Sequence, residues 1–173
     1  MDHINHPAII AREVLPVVFA TASARLKVLI DEHNPDVVIS LGQAEGRAEI
    51  SIERIAINVD DARIPDNAGN SPVNRTIIPG APAAYFSTLP IERLVQNLQQ
   101  SNLKASISNS AGTFVCNHIF YVMQHHLVEK EVISGFIHLP LMHEQSADFP
   151  NQPTMELREM IRGVTIVLDL VAN

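Results

Sequence analysis

Short continuous apolar runs alternate along the chain with apolar residues at helical spacing, the pattern of an α/β protein with a mostly parallel sheet. Residues 8–15 are apolar and partly β-branched and stop at Pro16, which predicts a strand. Residues 20–33 place Ala22, Leu26, Leu29 and Ile30 on one face of a helix, with Thr21 as its cap and Asn34-Pro35 as its stop. Residues 36–41, DVVISL, read as a strand buried on both faces, and Gly42 opens the loop GQAEGR. Ile50, Ile52, Ile55, Ile57 and Val59 mark a further strand, irregular around Arg54. Residues 60–83 hold most of the turn chemistry, and a connection of that length suggests function or disorder. A short strand at 84–86, a helix at 90–100, a strand at 105–109 and a helix at 114–128 come next. The last strand is predicted at 132–139. After a polar loop at 140–153, Leu157, Met160, Ile161, Val164, Leu168 and Val171 share a helix face, with Thr154 as the expected cap.

The length of 173 residues predicts a single domain spanning 1–173. A net charge of −7 argues against a nucleic-acid partner or an anionic-membrane surface. With 46% apolar and 18% charged residues the chain is expected to fold, and no apolar run approaches the length of a membrane span. The opening MDHINHPA has neither a basic nor an apolar stretch, so no signal peptide is expected. One cysteine cannot form an internal disulfide, which fits a reducing, cytoplasmic location.

The candidate chemistry centres on residues 108–117, SNSAGTFVCN, which read as strand, small-residue turn and helix. The turn puts Cys116 in a first helical turn at the end of a strand, where N–H groups and the helix dipole favour a thiolate and can receive an oxyanion. A thiol pKa can fall well below neutrality in such a place; the alternative is that Cys116 is a small buried hydrophobic residue. His138, ending the apolar strand GFIHLP, is the candidate base. His118 is two residues from Cys116 and therefore faces away, and with His125 and His126 reads as a solvent or interface residue. His3, His6 and His33 read as surface positions and His143 as a weaker rival. Glu53 stands inside an isoleucine-rich strand, where a carboxylate needs a partner. It either pairs with Arg54 or Arg63, or orients His138. There is no HExxH, CxxC or phosphate-binding glycine motif, so neither a metal nor a nucleotide is expected.

The stretches GQAEGR, ISIERIAINVDDARIPDNAGNSP, AAYFSTLP, SNSAGTFVCNHIFY and GFIHLP, in this order, resemble pyroglutamyl-peptidase I (pyrrolidone-carboxylate peptidase), from about Arg12 to the final helix. The resemblance implies a three-layer α/β/α sandwich with a mostly parallel twisted sheet. It implies no cofactor, a cytosolic homotetramer, and hydrolysis of the N-terminal pyroglutamyl residue from peptides. Carried over, Cys116 is the nucleophile, His138 the base and Glu53 the orienting carboxylate. Gln43 hydrogen-bonds the lactam, Phe114 and Val115 line the pocket, Arg63 lies near the site, and the Cys116 N–H serves the oxyanion. Two departures stand out: Glu45 replaces a small residue, and the family's opening strand with its TGFxPFG loop, followed by a helix, has no counterpart here. On that reading the fold is N-terminally truncated, the pocket lacks an apolar wall, and an open strand edge and an uncovered face invite association. The competing readings are a catalytically impaired homologue serving as an oligomer subunit or binding protein, and a cysteine acyl-transfer enzyme with another substrate.

Overall fold

The computed structural model describes residues 9–172; Ala8 of the first expected strand, and His3 and His6, lie outside them. Helix α1 (Phe19–His33) is followed by strands β1 (Val37–Gln43), β2 (Ile50–Glu53), β3 (Ile55–Ile57) and β4 (Ala84–Phe86). Then come α2 (Ile91–Gln100), β5 (Ala105–Ser108), α3 (Val115–Leu127) and β6 (Ile133–Leu139), and finally β7 (Leu141–Met142), β8 (Thr154–Met155) and α4 (Leu157–Val171).

The main sheet runs β1-β6-β2-β5. Strands β1 and β6 are parallel, β2 and β5 are parallel, and β6 meets β2 antiparallel. Helices α1 and α3 pack together on one face, while α2 and α4 cover the other. The result is three layers, α/β/α. Neighbours on β6 show the alternation that separates the two cores: Phe136 packs with Phe19, Phe120 and Met123, and Ile137 packs with Ile50, Leu94 and Val167. Each such buried side chain contributes about 1.5–3 kcal/mol. Helix α4 comes close because Gly163 has no side chain; a Cβ there would lie 2.3 Å from Ile50 Cδ1.

Four local expectations are corrected. Residues 9–15 form no strand, and Ile9 and Val14 are fully exposed. β-Branched residues need a neighbouring backbone to complete a ladder, and among the described residues none runs beside this segment. Thr21 does not cap α1; the Phe19 N–H donates instead to Asp66 Oδ2 (3.1 Å), from the long loop. Thr154 lies in β8, and Glu156 occupies the N-cap position of α4. The expected strand through Arg54 breaks at that residue, so β2 joins the main sheet and β3 pairs with β4.

The 60–83 connection has its own order. Asp60 and Arg75 form an isolated bridge, and the Asn58 amide donates to Ile78 O while accepting the Ile78 N–H. Burial pushes the Asp66 carboxyl up, but hydrogen bonds from the Asn70 side chain and from the N–H groups of Asn70, Phe19 and Ala68 outweigh it and hold it at about 2.

Candidate active site

The antiparallel register sets Ser51 opposite His138. Alternation then puts Ser51, Glu53, Phe136 and His138 on one face of the sheet, beneath α3, and Ile50, Ile52 and Ile137 on the other. His138 Nδ1 lies 2.7 Å from Glu53 Oε1, with the histidine 4% exposed and the glutamate 0%. This selects between the partners open to Glu53. Arg54 instead reaches Asn109 and Glu92, and Arg63 lies on an exposed loop. The arginine that does reach Glu53 is Arg47, whose Nη2 donates to the same Oε1 at 3.1 Å. Glu53 Oε2 is buried and has no hydrogen-bond partner.

Cys116 enters the same region from above. The turn after β5 closes through Gly112 at φ 79°, a left-handed conformation that disfavours side chains, and Cys116 is the second residue of α3. The sulfur sits over Gly42, which is the β1 register partner of His138. A Cβ on Gly42 would lie 3.1 Å from Cys116 Sγ and 2.8 Å from Phe136 Cζ, so the absence of a side chain makes room for both. The Phe136 ring in turn stacks obliquely on His138, centroids 4.8 Å apart.

Burial pushes the thiol up to about 11, and the charge of Glu53 adds to the rise; the residue's own N–H works against them. The fall in thiol pKa that a helix N-terminus can produce is therefore not realised at Cys116. Loss of water around sulfur outweighs the helix N-terminus, and the resting thiol is neutral. Among the described residues no hydrogen bond joins Sγ to the imidazole, and the hydrogen bond His138 makes there is the one from Nδ1 to Glu53.

A family model described as pyroglutamyl peptidase matches residues 2–173. The chain belongs to that family. It is 47% identical over 165 residues to a pyrrolidone-carboxylate peptidase of Gloeobacter violaceus, covering 95% of this chain and 80% of the relative. It is 52% identical over 156 residues to one of Pseudomonas fluorescens, covering 90% and 72%. The fold is similar to the crystal structure of pyroglutamyl peptidase I from Bacillus amyloliquefaciens, with a TM-score of 0.93 and 40% identity over 98% of this chain and 82% of that one. A pyrrolidone carboxyl peptidase of Pyrococcus furiosus gives 0.88 at 42% identity, covering 91% and 78%.

The four further residues suggested by likeness to the pyroglutamyl peptidases are spread around this centre. Phe114 is half-buried at the N-cap of α3, edge-on to Phe19. With Arg63, Asp61, Ile64 and Thr113 it lines a cavity of about 240 Å³. Val115 is 3% exposed and belongs to the α1/α3 core. The Gln43 amide is exchanged with that of Gln145 (2.7 and 3.0 Å) and donates to Pro140 O (3.2 Å). Alternation turns Gln43 away from the face on which Gly42 meets Cys116.

Three groups escaped the sequence reading. Arg47 is one. Asn117 is the second: it is fully buried, accepts the Ile57 N–H and donates to the carbonyls of Ile57 and Val59, which pins β3 to the start of α3. The third is His118, which faces away from Cys116 yet is not a surface residue. Its Nδ1 meets Asp60 (2.9 Å) and its Nε2 meets Ser23 Oγ (3.0 Å), all three buried. His125 and His126 do sit toward the outside, bonded to Tyr85 and Asp31.

Proposed function

We propose that the chain is a cysteine peptidase that removes the N-terminal pyroglutamyl residue from peptides, with Cys116 as nucleophile, His138 as base and Glu53 as the orienting carboxylate. The observation that carries this is the buried Glu53–His138 pair with the thiol at a helix N-terminus over Gly42, the register partner of His138. A neutral thiol suits this arrangement. As Sγ bonds to the pyroglutamyl carbonyl carbon, its proton passes to His138 Nε2, and Glu53 stabilises the imidazolium that forms. The carbonyl oxygen takes up the negative charge facing the N–H of Cys116 and its neighbours in the first turn of α3. His138 returns the proton to the leaving amine as the C–N bond breaks, and water, activated by the same imidazole, hydrolyses the thioester.

The lactam is uncharged, so selection rests on shape and a few amide hydrogen bonds. In this reading Phe114 and Arg63 border the bound peptide and Val115 supports the wall from behind. Gln43 reaches the lactam only after releasing Gln145. Residues 1–173 act as one domain, in a reducing cytoplasmic compartment where the thiol survives, and as a homo-oligomer whose number light scattering would measure. The deciding assay is a fluorogenic pyroglutamyl amide. Turnover lost in Cys116→Ala supports the reading, and a folded wild-type chain that releases no fluorophore overturns it.

A further inference from the structure

Glu53 is the most demanding side chain in the molecule: a carboxylate without exposure, one oxygen shared and the other unbonded. Charge in such a place needs a cation. Arg47, from the loop between β1 and β2, supplies one through a fork with three fixed ends. Nη2 donates to Glu53 Oε1 (3.1 Å) and to Ser110 O (3.0 Å), and Nη1 donates to Ser51 Oγ (3.2 Å). Ser51 is the register partner of His138. Ser110 belongs to the turn that launches α3 and Cys116. One guanidinium thus joins the strand carrying the carboxylate, the strand position opposite the imidazole, and the turn that aims the thiol.

We infer that Arg47 is a positioning residue for Cys116, His138 and Glu53, holding the buried carboxylate charged and fixing the start of α3 against β2. The inference rests on the peptidase reading and deepens it. The groups that face Glu53 are Arg47 from its loop, His138 from β6 and Cys116 from α3; among the described residues no other charged side chain touches it. Removing Arg47 subtracts one positive charge from this set, so the site holds an extra proton more tightly. An imidazole that already carries a proton cannot accept one from sulfur, so reactivity must fail at a higher pH. Lysine keeps the charge but cannot span Glu53, Ser51 and Ser110 together.

The test follows two rates against pH in the wild type, Arg47→Gln, Arg47→Lys, Glu53→Gln and the Arg47→Gln/Glu53→Gln double variant. One is kcat/KM on the pyroglutamyl amide. The other is alkylation of Cys116, the chain's one cysteine, by iodoacetamide, which needs no peptidase activity. Arg47→Gln is expected to move the acid limb of both profiles up by about one pH unit, slowing alkylation about tenfold on that limb. Arg47→Lys is expected to keep the limb and lose rate. Without Glu53 the Arg47→Gln displacement should shrink. An unmoved limb in Arg47→Gln, or an equal displacement without Glu53, overturns the inference. If Arg47→Gln does not fold, Arg47→Lys decides, and wild-type rate in that variant overturns the positioning role. If the wild type alkylates but does not cleave the amide, the peptidase reading fails while the alkylation profiles still judge Arg47.

Discussion

Two buried carboxylate–imidazole pairs lie on the same side of the sheet, and they have opposite fates. In both, Nδ1 of a histidine faces an acid: Glu53 for His138 at 2.7 Å, Asp60 for His118 at 2.9 and 3.0 Å. They differ at the far nitrogen. His118 Nε2 is closed off by Ser23 Oγ at 3.0 Å, and the same hydroxyl lies within hydrogen-bond distance of the carbonyls of Phe19 and Ala20 in α1. The string Ser23–His118–Asp60 has the outline of a catalytic triad, but its hydroxyl is buried where α1 packs on α3. Among the described residues no hydrogen bond is made by His138 Nε2, and His138 is the register partner of Gly42, over which Cys116 sits. A buried histidine with an acid behind it is therefore no signature of catalysis by itself; what stands before the other nitrogen decides.

That contrast breaks if the two histidines can be exchanged in their consequences. His138→Gln keeps a hydrogen-bond donor for Glu53 but no base, and kcat/KM on a pyroglutamyl amide should fall about 10³-fold or more. His118→Leu leaves Asp60 charged and unpaired in the interior. It should cost about 3–5 kcal/mol in a denaturant melt, while turnover per folded molecule, with the folded fraction read from the same melt, stays within a few-fold of wild type. A catalytic collapse in His118→Leu molecules that are still folded would erase the distinction.

The sequence carried more of the first pair than of the second, for a physical reason. Glu53 and His138 are local anomalies, polar residues inside apolar strands, and Cys116 follows a small-residue turn into a helix; each signal sits within a few residues of its object. His118 was correctly turned away from Cys116 by helical spacing. But α3 is buried on nearly every side from Val115 to Leu127, so facing away from the thiol did not mean facing water. Asp60 and Ser23 lie 58 and 95 residues from His118, and no local pattern joins them. Arg47 was hidden likewise, since an arginine in a polar loop looks solvated until Glu53 and Ser110 close on it. In the fold, α2, α3 and β6 were legible from periodicity and apolar runs. The strand expected at 8–15, absent from the described residues 9–15, and the α1 cap depended on distant partners, a ladder neighbour and Asp66.

The thiol gives the first pair a pH signature of its own. In the unfolded chain the Cys116 thiol ionises near its ordinary value of 9.0, and in the folded chain near about 11. Between those values the unfolded state loses the proton and the folded state keeps it. The stability this contributes is thus complete below pH 9 and is lost as pH rises toward 11, about 2–3 kcal/mol in all. Wild type should lose that much more than Cys116→Ala between pH 8.5 and 11, measured by urea midpoints. Parallel losses in the two proteins would mean that the sulfur is better solvated than its burial indicates.

The smallest effect sharpens the comparison most. Ser23→Ala removes the hydroxyl that closes the second pair and leaves His118 Nε2 without its partner. One buried hydrogen bond is worth about 1 kcal/mol net, with a further cost if the nitrogen stays dry, so a loss of about 1–2 kcal/mol is expected, with kcat/KM unchanged. Because Asp60 still holds Nδ1, this loss must be smaller than that of His118→Leu, which strands a charge. If Ser23→Ala proved as damaging as His118→Leu, the stability of the second pair would reside in its hydroxyl and not in its acid. The two pairs would then differ in construction as well as in access. If it cost nothing, the hydroxyl would be filling space, and the sealing of His118 would come from the packing of α1 on α3 alone.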